Sequence, residues 1–381
     1  MPETHVVPEP SLAAPAALAG SGKALSVQRL RKTYAGVTAV DEVSMEIAAG
    51  EFVTFLGSSG SGKTTTLMMI AGFCEPDSGS IVVGGNDVTH LAPQKRGLGF
   101  VFQQYLLFPH MTVWENVAFP LQLRGVSKAE QRRRVGETLE MAGLSKMARR
   151  RPRELSGGQQ QRVALCRALV YRPPVILMDE PLGALDKKLR DQLQTEIKRI
   201  QQELGLTVIY VTHDQEEALV LSDRIAVMRD GRIDQFDTPQ ELFERPRTPF
   251  VADFLGAANF LSGRVEERPD GGAYTLVRLD TGGLIKARPY TGPSSAKVRA
   301  AVQPGRLYLC PAGDGFCTGT VETVTYVGTL VRVTVRPDGG TATDLVRLEL
   351  PAGRAPALGE RVDLAADPEN VSVFADAEDG G

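Results

Sequence analysis

The stretch Gly57-Ser58-Ser59-Gly60-Ser61-Gly62-Lys63-Thr64 decides the fold of this chain. It follows the apolar run Phe52–Leu56 and leads into Thr65–Ile70, which can form a helix, so the order is strand, glycine-rich turn and helix. Glycine permits backbone conformations that other residues avoid, so successive N–H groups can point at an anion beside the positive helix end. The pattern predicts a phosphate-binding loop in which Lys63 reaches the outer phosphates and the Thr64 hydroxyl binds Mg²⁺.

A loop of this kind occurs in kinases, GTPases and many ATPases, so the class of protein has to be decided from other motifs. One of them is a strand that ends in two carboxylates. The apolar run Val175–Met178 ends in Asp179 and Glu180, as is typical of a buried parallel strand that opens into a site. Asp179 can hold Mg²⁺ through water, and Glu180 is placed to orient or deprotonate an attacking water. Adjacent buried carboxylates without such a task would be costly.

A histidine follows the next predicted strand. Thr207–Val211 is a buried run that delivers His213 to the same sheet edge as Asp179. A single histidine after a strand is more often structural than catalytic. Here its position beside the two carboxylates favours contact with a γ-phosphate.

A second anion-ready helix start lies at Leu155-Ser156-Gly157-Gly158-Gln159, ahead of the helical stretch Gln160–Val170. A hydroxyl, free N–H groups and the helix dipole all face one way there, although a plain N-cap has the same local pattern. Because the chain has two helix starts that could bind phosphate, we favour phosphate binding over a plain N-cap at Ser156. Tyr34, just before a glycine turn, could stack on a nucleotide base or be an ordinary packed strand residue.

Composition sets further limits. The chain has 381 residues, 42% of them apolar, which is enough for one large domain and a smaller one. The net charge of -3 gives no electrostatic reason to expect nucleic acid as a partner. The start Met1–Gly22 is rich in Pro and Ala and predicts a disordered tail, and no apolar run approaches membrane-crossing length. The four cysteines lack paired metal-ligand spacing and suit a reducing cytosol: Cys74, Cys166, Cys310 and Cys317.

The other apolar patterns predict a mixed α/β domain. Alternation between Leu25 and Ile47 predicts a meander of three short strands, and a helical, arginine-rich insertion is expected at about 112–154. The segment Tyr105–Met111 combines large apolar side chains with Pro and Gln, which predicts either a loop tucked into the core or a partner-binding patch. An amphipathic helix is expected after Asp186.

Past Phe254 the pattern changes to short alternating runs between Gly, Pro and Asp turns, which predicts a small all-β barrel or sandwich. The predicted strands are Phe260–Val265, Tyr274–Leu279, Val298–Val302, Thr320–Val327, Leu330–Val335, Leu345–Leu350 and Arg361–Leu364. We therefore expect a tail at 1–22, an α/β domain at 23–255, a β-rich domain at 256–375 and a short tail at 376–381.

Taken together, these motifs resemble the ATPase subunit of an ABC transporter, from about Leu25 to the end of the chain. The resemblance implies a P-loop NTPase fold with a RecA-like core, an antiparallel β subdomain and a helical subdomain, followed by an OB-like, TOBE-like regulatory domain. It also implies site roles. Tyr34 stacks on adenine, Gly57–Thr64 with Thr65 forms Walker A, Ser156–Gln159 is the signature, and Asp179 binds Mg²⁺. Catalytic roles are implied for Lys63, Gln103, Glu180 and His213, with Gln103 sensing Mg²⁺ and water, while Asp186 is the D-loop aspartate.

The resemblance implies a mechanism in which two copies face head to tail, with ATP held between Walker A of one copy and the signature of the other. Partners are then two transmembrane permease subunits and, indirectly, a solute-binding protein, which places the chain at the cytoplasmic face of the cell membrane. Tyr105–Val113 is the implied permease contact. Two residues depart from the family pattern: Cys166 replaces an expected alanine, and Gln303 an expected arginine in the β-rich tail.

Within the family, Val101–Gln103, Phe108–Val113 and Asp237–Phe254 look most like the polyamine (spermidine/putrescine) import branch. Importers of ferric iron, sulfate, sugar or phosphonate share nearly all of these features. A soluble ABC ATPase acting on ribosomes or DNA is a more remote alternative, since the chain has a single cassette and near-neutral charge. A P-loop kinase would have no use for Leu155–Gln159.

Overall fold

The computed structural model describes residues 22–183, 186–266, 273–293, 295–341 and 344–376. The chain divides into two compact units, Met1–Pro239 and Gln240–Gly381. This division falls earlier than the expected boundary after residue 255. The reason is that the segment 240–258 bonds to the β-rich part: the carbonyl of Phe243 accepts from Gln303, and that of Ala257 from Arg347. Of the predicted tails at 1–22 and 376–381, residues 1–21 and 377–381 lie outside the described residues.

The first unit alternates strands and helices. Its strands are β1 (Leu25–Tyr34), β2 (Val37–Ile47), β3 (Phe52–Leu56), β4 (Ser78–Val83), β5 (Asn86–Asp87), β6 (Gly99–Val101), β7 (Val175–Asp179), β8 (Thr207–Thr212), β9 (Arg224–Arg229) and β10 (Arg232–Asp237). Its helices are α1 (Lys63–Ala71), α2 (Pro93–Arg96), α3 (Val113–Leu123), α4 (Lys128–Met141), α5 (Gly157–Leu169), α6 (Lys187–Leu204) and α7 (Gln215–Leu221).

A six-stranded sheet in the order β10-β9-β3-β8-β7-β6 forms the centre of this unit. Its strands β3, β7 and β8 run parallel to one another, and every residue in them is buried. Parallel strands covered on both faces need such continuous apolar runs. The order brings the carboxyl ends of β3, β8 and β7 to one edge, as the sequence predicts for the loop, His213 and Asp179.

A second sheet, in the order β2-β1-β4-β5, is antiparallel. The prediction of three short strands between Leu25 and Ile47 is wrong, because β1 and β2 are two long paired strands. The apparent break in the pattern comes from irregularities: Arg29 and Glu42 have left-handed backbones, with φ of 47° and 52°. Such bulges shift the alternation of side chains without ending the strand.

The expected helical stretch after residue 112 contains α3 and α4. Thr112 caps α3 through a capping box with Glu115, and Ser127 caps α4. Both helices pack with α5 around a buried apolar cluster. Leu107 contacts this cluster while Leu106 is about half exposed, so the loop before α3 is part core and part surface.

The second unit begins with α8 (Pro239–Glu244) and α9 (Pro249–Gly256) and is otherwise β-structured. One five-stranded sheet has the order β13-β12-β11-β14-β20, and the other β15-β19-β16-β17-β18. The strands are β11 (Asn259–Val265), β12 (Thr275–Leu279), β13 (Leu284–Ala287), β14 (Lys297–Val302), β15 (Leu307–Cys310), β16 (Cys317–Val327), β17 (Leu330–Pro337), β18 (Val346–Pro351), β19 (Arg361–Ala366) and β20 (Val371–Ala375).

All seven predicted strands of this unit are present, and β13, β15 and β20 are additional. A cluster of buried Val, Leu and Ile side chains from both sheets forms its core. The four cysteines are free thiols, with Cys166 and Cys317 buried and Cys310 only partly so. Within the described ranges, no helix is long and apolar enough to cross a membrane, and no cluster of His, Cys, Asp and Glu could hold a metal ion by itself.

Candidate functional site

The glycine-rich loop lies between β3 and α1, as predicted, and two of its glycines have no room for a side chain. A Cβ on Gly57 would lie 2.3 Å from the carbonyl oxygen of Met228. Gly62 has a φ of +96°, and a Cβ there would lie 2.6 Å from the carbonyl oxygen of Ala39. The loop is therefore packed tightly against β2 and β9. This packing fixes the direction of its backbone N–H groups.

Lys63 is the first residue of α1 and is 5% exposed. Its Nζ donates to the carbonyl oxygens of Gly57 and Ser58, each at 2.8 Å, so the ammonium lies inside the curve of the loop. Burial lowers the pKa of Lys63, and the carboxylates of Glu180 and Asp179 oppose this shift. A buried cation inside a loop of N–H groups is well suited to bind a phosphate anion.

The rest of the loop divides by exposure. Ser58, Ser59 and Gly60 are exposed and Thr65 is half-buried. Ser61 is buried, and its Oγ has no hydrogen-bond partner among the described residues.

Thr64 and Asp179 meet from opposite sides of β8. The Thr64 hydroxyl donates to Oδ1 of Asp179 at 3.1 Å. Asp179 is 9% exposed, and burial raises the pKa of its carboxyl group, with Thr64 acting in the opposite direction. A hydroxyl and a carboxylate in contact are hard oxygen ligands of the kind that Mg²⁺ prefers, so these residues fit a magnesium ion bound with phosphates.

Glu180 connects two further predicted residues. Its Oε2 accepts from Nε2 of Gln103 at 3.2 Å, and its Oε1 lies 3.3 Å from Nδ1 of His213. The Glu180 backbone is left-handed, with a φ of 42°, which is a strained conformation for a residue with a side chain. This turn aims Glu180 away from the direction of β7, so that its carboxylate reaches residues that follow β6 and β8.

Tyr34 closes β1 and is 47% exposed, which leaves its ring available for stacking. Its hydroxyl lies 3.0 Å from Sγ of Cys74, and Nζ of Lys32 lies 5.5 Å from the ring centroid. The ordinary packed-strand interpretation is therefore wrong for this residue, since its ring is not part of the core.

The signature and Asp186 begin two other helices. Ser156 and Gln159 form a capping box at the start of α5: Gln159 N–H donates to Ser156 Oγ at 3.4 Å, and Ser156 N–H to Gln159 Oε1 at 3.0 Å. Ser156 and Gly157 are exposed, while Gly158 is buried against Leu189. Asp186 caps α6 by accepting from Leu189 N–H at 3.0 Å. The structure thus brings Lys63, Thr64, Gln103, Asp179, Glu180 and His213 together and places the signature on a separate exposed helix start.

Sequence reasoning missed Arg96, which supports the phosphate-binding helix from behind. Its guanidinium is buried and donates to the carbonyl oxygens of Met69 and Ile70 at the end of α1, and also to those of Thr89 and Leu91, at 2.7 to 2.8 Å. A cation there donates to the carbonyls of the last turn of α1, of which Met69 also accepts from the N–H of Gly72, and complements the negative end of the helix dipole. All four acceptors are backbone atoms, so the side-chain sequence gives no signal of them.

The fold and this cluster together define a P-loop nucleotide-binding ATPase. Residues 40–183 match the family described as ABC transporter, and residues 300–374 match the TOBE domain. The spermidine/putrescine import ATP-binding protein PotA of Rubrobacter xylanophilus is 48% identical over 364 residues, covering 93% of this chain and 94% of that protein. The chain belongs to the ATP-binding proteins of ABC transporters, a family of ATPases coupled to transport.

Other relatives belong to the same family, and their names specify two different solutes. PotA of Thermobifida fusca is 47% identical over 364 residues, covering 92% of this chain and 93% of that protein. The Fe(3+) ions import ATP-binding protein FbpC of Agrobacterium fabrum is 46% identical over 315 residues, covering 82% and 88%. The dimeric, ADP- and Pi-bound cassette MJ0796 is 37% identical with a TM-score of 0.51, over 56% of this chain and 98% of that one.

Proposed function

We propose that the chain is the ATP-hydrolysing subunit of a polyamine importer with spermidine or putrescine as solute. The observation that carries this proposal is the likeness to the PotA protein of Rubrobacter xylanophilus. It extends over 364 residues and so includes the β-rich second unit. The likeness to the FbpC protein of Agrobacterium fabrum extends over 315 residues.

Ferric iron is the second candidate solute, since two FbpC proteins are each 46% identical to this chain. Substrate choice lies in membrane and binding-protein subunits, so an uptake measurement decides between the two solutes. The relatives named above as PotA or FbpC are import proteins. This favours transport over the soluble ATPase and kinase alternatives.

The proposed hydrolysis uses each residue of the cluster in one role. Lys63 and the N–H groups of the loop bind the outer phosphates of ATP, and Tyr34 stacks on the adenine. Glu180 orients and deprotonates the attacking water, Gln103 holds Glu180 from one side, and His213 contacts the γ-phosphate from the other. Thr64 and Asp179 would hold Mg²⁺, which would neutralise charge that develops on the phosphates.

Neither copy alone completes the proposed site, because Ser156–Gln159 and the Asp186 loop act from the opposite copy. Exposed Ser156 at a helix start is free to meet a phosphate brought by a second chain. ATP would then hold two copies together, and hydrolysis would let them separate. This movement would couple ATP hydrolysis to a conformational change of the permease. We place the chain at the cytoplasmic face of the membrane, bound to two permease subunits through Tyr105–Val113.

Uptake in a strain that lacks the gene tests the solute. The strain receives wild type, Lys63→Ala, or the matched control Lys95→Ala, which removes an exposed lysine on α2. We expect wild type and Lys95→Ala to restore uptake of labelled putrescine and spermidine, and Lys63→Ala to restore none. Sulfate and ferric-iron uptake should not depend on the gene.

Two outcomes would contradict different parts of the proposal. If polyamine uptake persists without the gene and ferric-iron uptake is lost, the solute is ferric iron, and the proposal that the chain is an importer ATPase still holds. Full uptake with Lys63→Ala would contradict the motor itself.

A further inference from the structure

A buried carboxylate lies directly behind His213 and has no place in the hydrolysis described above. Glu217, on α7, is 2% exposed. Its Oε2 accepts from the hydroxyls of Tyr210 and Thr212, each at 2.8 Å, and its Oε1 lies 3.6 Å from Nε of Arg190. Charges this deep in a protein are rare unless they are paired, so the arrangement needs an explanation.

The bonds of this network hold the backbone on both sides of His213. On one side, the Thr212 hydroxyl that donates to Glu217 also accepts from Asp214 N–H at 3.0 Å. On the other side, Asp214 Oδ1 accepts from Glu217 N–H at 3.2 Å, and its Oδ2 accepts from Arg190 at 2.9 Å. His213 is therefore the one residue between two anchored neighbours. Its own side chain is 61% exposed and faces Glu180.

The network also joins three elements that approach the site from different directions. Arg190 lies in the first turn of α6, four residues after the capping Asp186, while Thr212 ends β8 and Glu217 belongs to α7. Burial raises the pKa of Glu217, and the hydroxyls of Thr212 and Tyr210 oppose that shift. Folding therefore gives up free energy to keep a carboxylate here, where an apolar side chain would pack at no electrostatic cost.

We propose that Glu217 is a positioning residue for hydrolysis, which holds His213 against Glu180 by fixing the backbone of Thr212 and Asp214. The inference rests on the proposed role of His213 in contacting the γ-phosphate. Glu217 is not among the residues proposed to bind ATP or Mg²⁺, and in this proposal it acts only through His213.

The test is a double-mutant cycle on the full-length chain, measured as steady-state ATP hydrolysis. Glu217→Gln keeps the shape but offers one acceptor oxygen in place of two, so one side of the network faces an N–H group. We expect kcat to fall about 10- to 100-fold, as for other misplaced supporting groups, with KM for ATP unchanged. In a His213→Ala background the same substitution should cost less than about twofold.

Two further variants, together with thermal unfolding, separate a loss of kcat from a loss of folding. Thr212→Val removes the shared hydroxyl with little change in volume and should reproduce the kcat loss. Glu216→Gln is the matched control, since Glu216 is exposed and adjacent, and it should leave kcat within about twofold of wild type. Thermal unfolding checks that each variant is folded.

The outcomes separate the inference from the proposed function. If Glu217→Gln costs the same factor with and without His213, its role is general packing and the inference fails. If wild type and His213→Ala hydrolyse ATP equally fast, the role given to His213 fails first. A fall in kcat that vanishes in the His213→Ala background supports the positioning role.

Discussion

Removal of the Arg96 guanidinium should destabilise the first unit more than any single exposed substitution on the same helix. Arg96→Met keeps the aliphatic stem but removes the guanidinium donor from four backbone carbonyls, of which Met69 keeps the N–H of Gly72. A hydrogen bond from a charged group contributes about 1.5–3 kcal/mol, but the four bonds share one desolvated cation and do not add. We therefore expect the free energy of unfolding to fall by about 3–5 kcal/mol, since each buried carbonyl left without a donor costs about 1–3 kcal/mol and removal of the desolvated cation offsets part of the sum.

The single tryptophan gives a direct assay for this loss. Trp114 lies in α3, within the first unit, and packs partly against its buried cluster. Its fluorescence during urea unfolding reports this unit without a contribution from the second. Lys95→Met is the control, because Lys95 precedes Arg96 on α2 and is exposed. It should change the free energy of unfolding by less than about 0.5 kcal/mol.

A loss below about 1 kcal/mol for Arg96→Met would refute the reasoning, since it would mean that water or local rearrangement satisfies the four carbonyls. We also expect weaker ATP binding, because α1 carries Lys63 and Thr64 at its other end.

Substitutions at three further residues test the site. Tyr34→Ala should weaken ATP binding by ~1–3 kcal/mol, roughly 5- to 150-fold, whereas Tyr34→Phe keeps the ring and should bind normally; equal losses would refute stacking. Glu180→Gln should abolish hydrolysis but retain ATP binding, and size-exclusion chromatography with saturating ATP should show a dimer; a monomer would contradict the shared site. Asp179→Asn should abolish hydrolysis yet stabilise the protein without Mg²⁺ at pH 7. Burial raises the pKa of the Asp179 carboxyl group in the folded state, so its ionisation destabilises the fold as pH rises from about 4 through the folded-state pKa. Below about pH 4 the carboxyl group is protonated in both the folded and the unfolded state, so the gain in stability from Asn should vanish there.

The sequence predicts which residues meet at this edge of the sheet, because most of them are tied to a local pattern. Lys63 and Thr64 follow glycines, Asp179 and Glu180 end an apolar run, and His213 follows another. Their meeting at one edge then follows from parallel strand order alone. Gln103 was placed only by the family resemblance, since a glutamine after a short strand has no chemical signature of its own.

The rest depended on contacts that side-chain patterns do not encode. Arg96 binds backbone carbonyls, and Glu217 is buried in a helix of seven residues whose pattern also fits a solvent-exposed segment. Strands β13, β15 and β20 have only four or five residues each, which is too short for alternation to stand out from a turn. The bulges at Arg29 and Glu42 reset the alternation within β1 and β2, so one strand pair looked like three strands.

The strand order at the centre of the first unit also sets the distance between two parts of the site. Neighbouring strands of a sheet lie about 4.8 Å apart, so β8 between β3 and β7 holds their ends at a separation of about 9–10 Å. Thr64 reaches inward from one end and Asp179 from the other, and their oxygen atoms meet at 3.1 Å. The separation of these strand ends is thus set by the hydrogen-bond spacing of the backbone, and substitutions that keep the strands paired leave it unchanged. Loops and surfaces can therefore change in sequence while the distance between the ends of β3 and β7 stays the same.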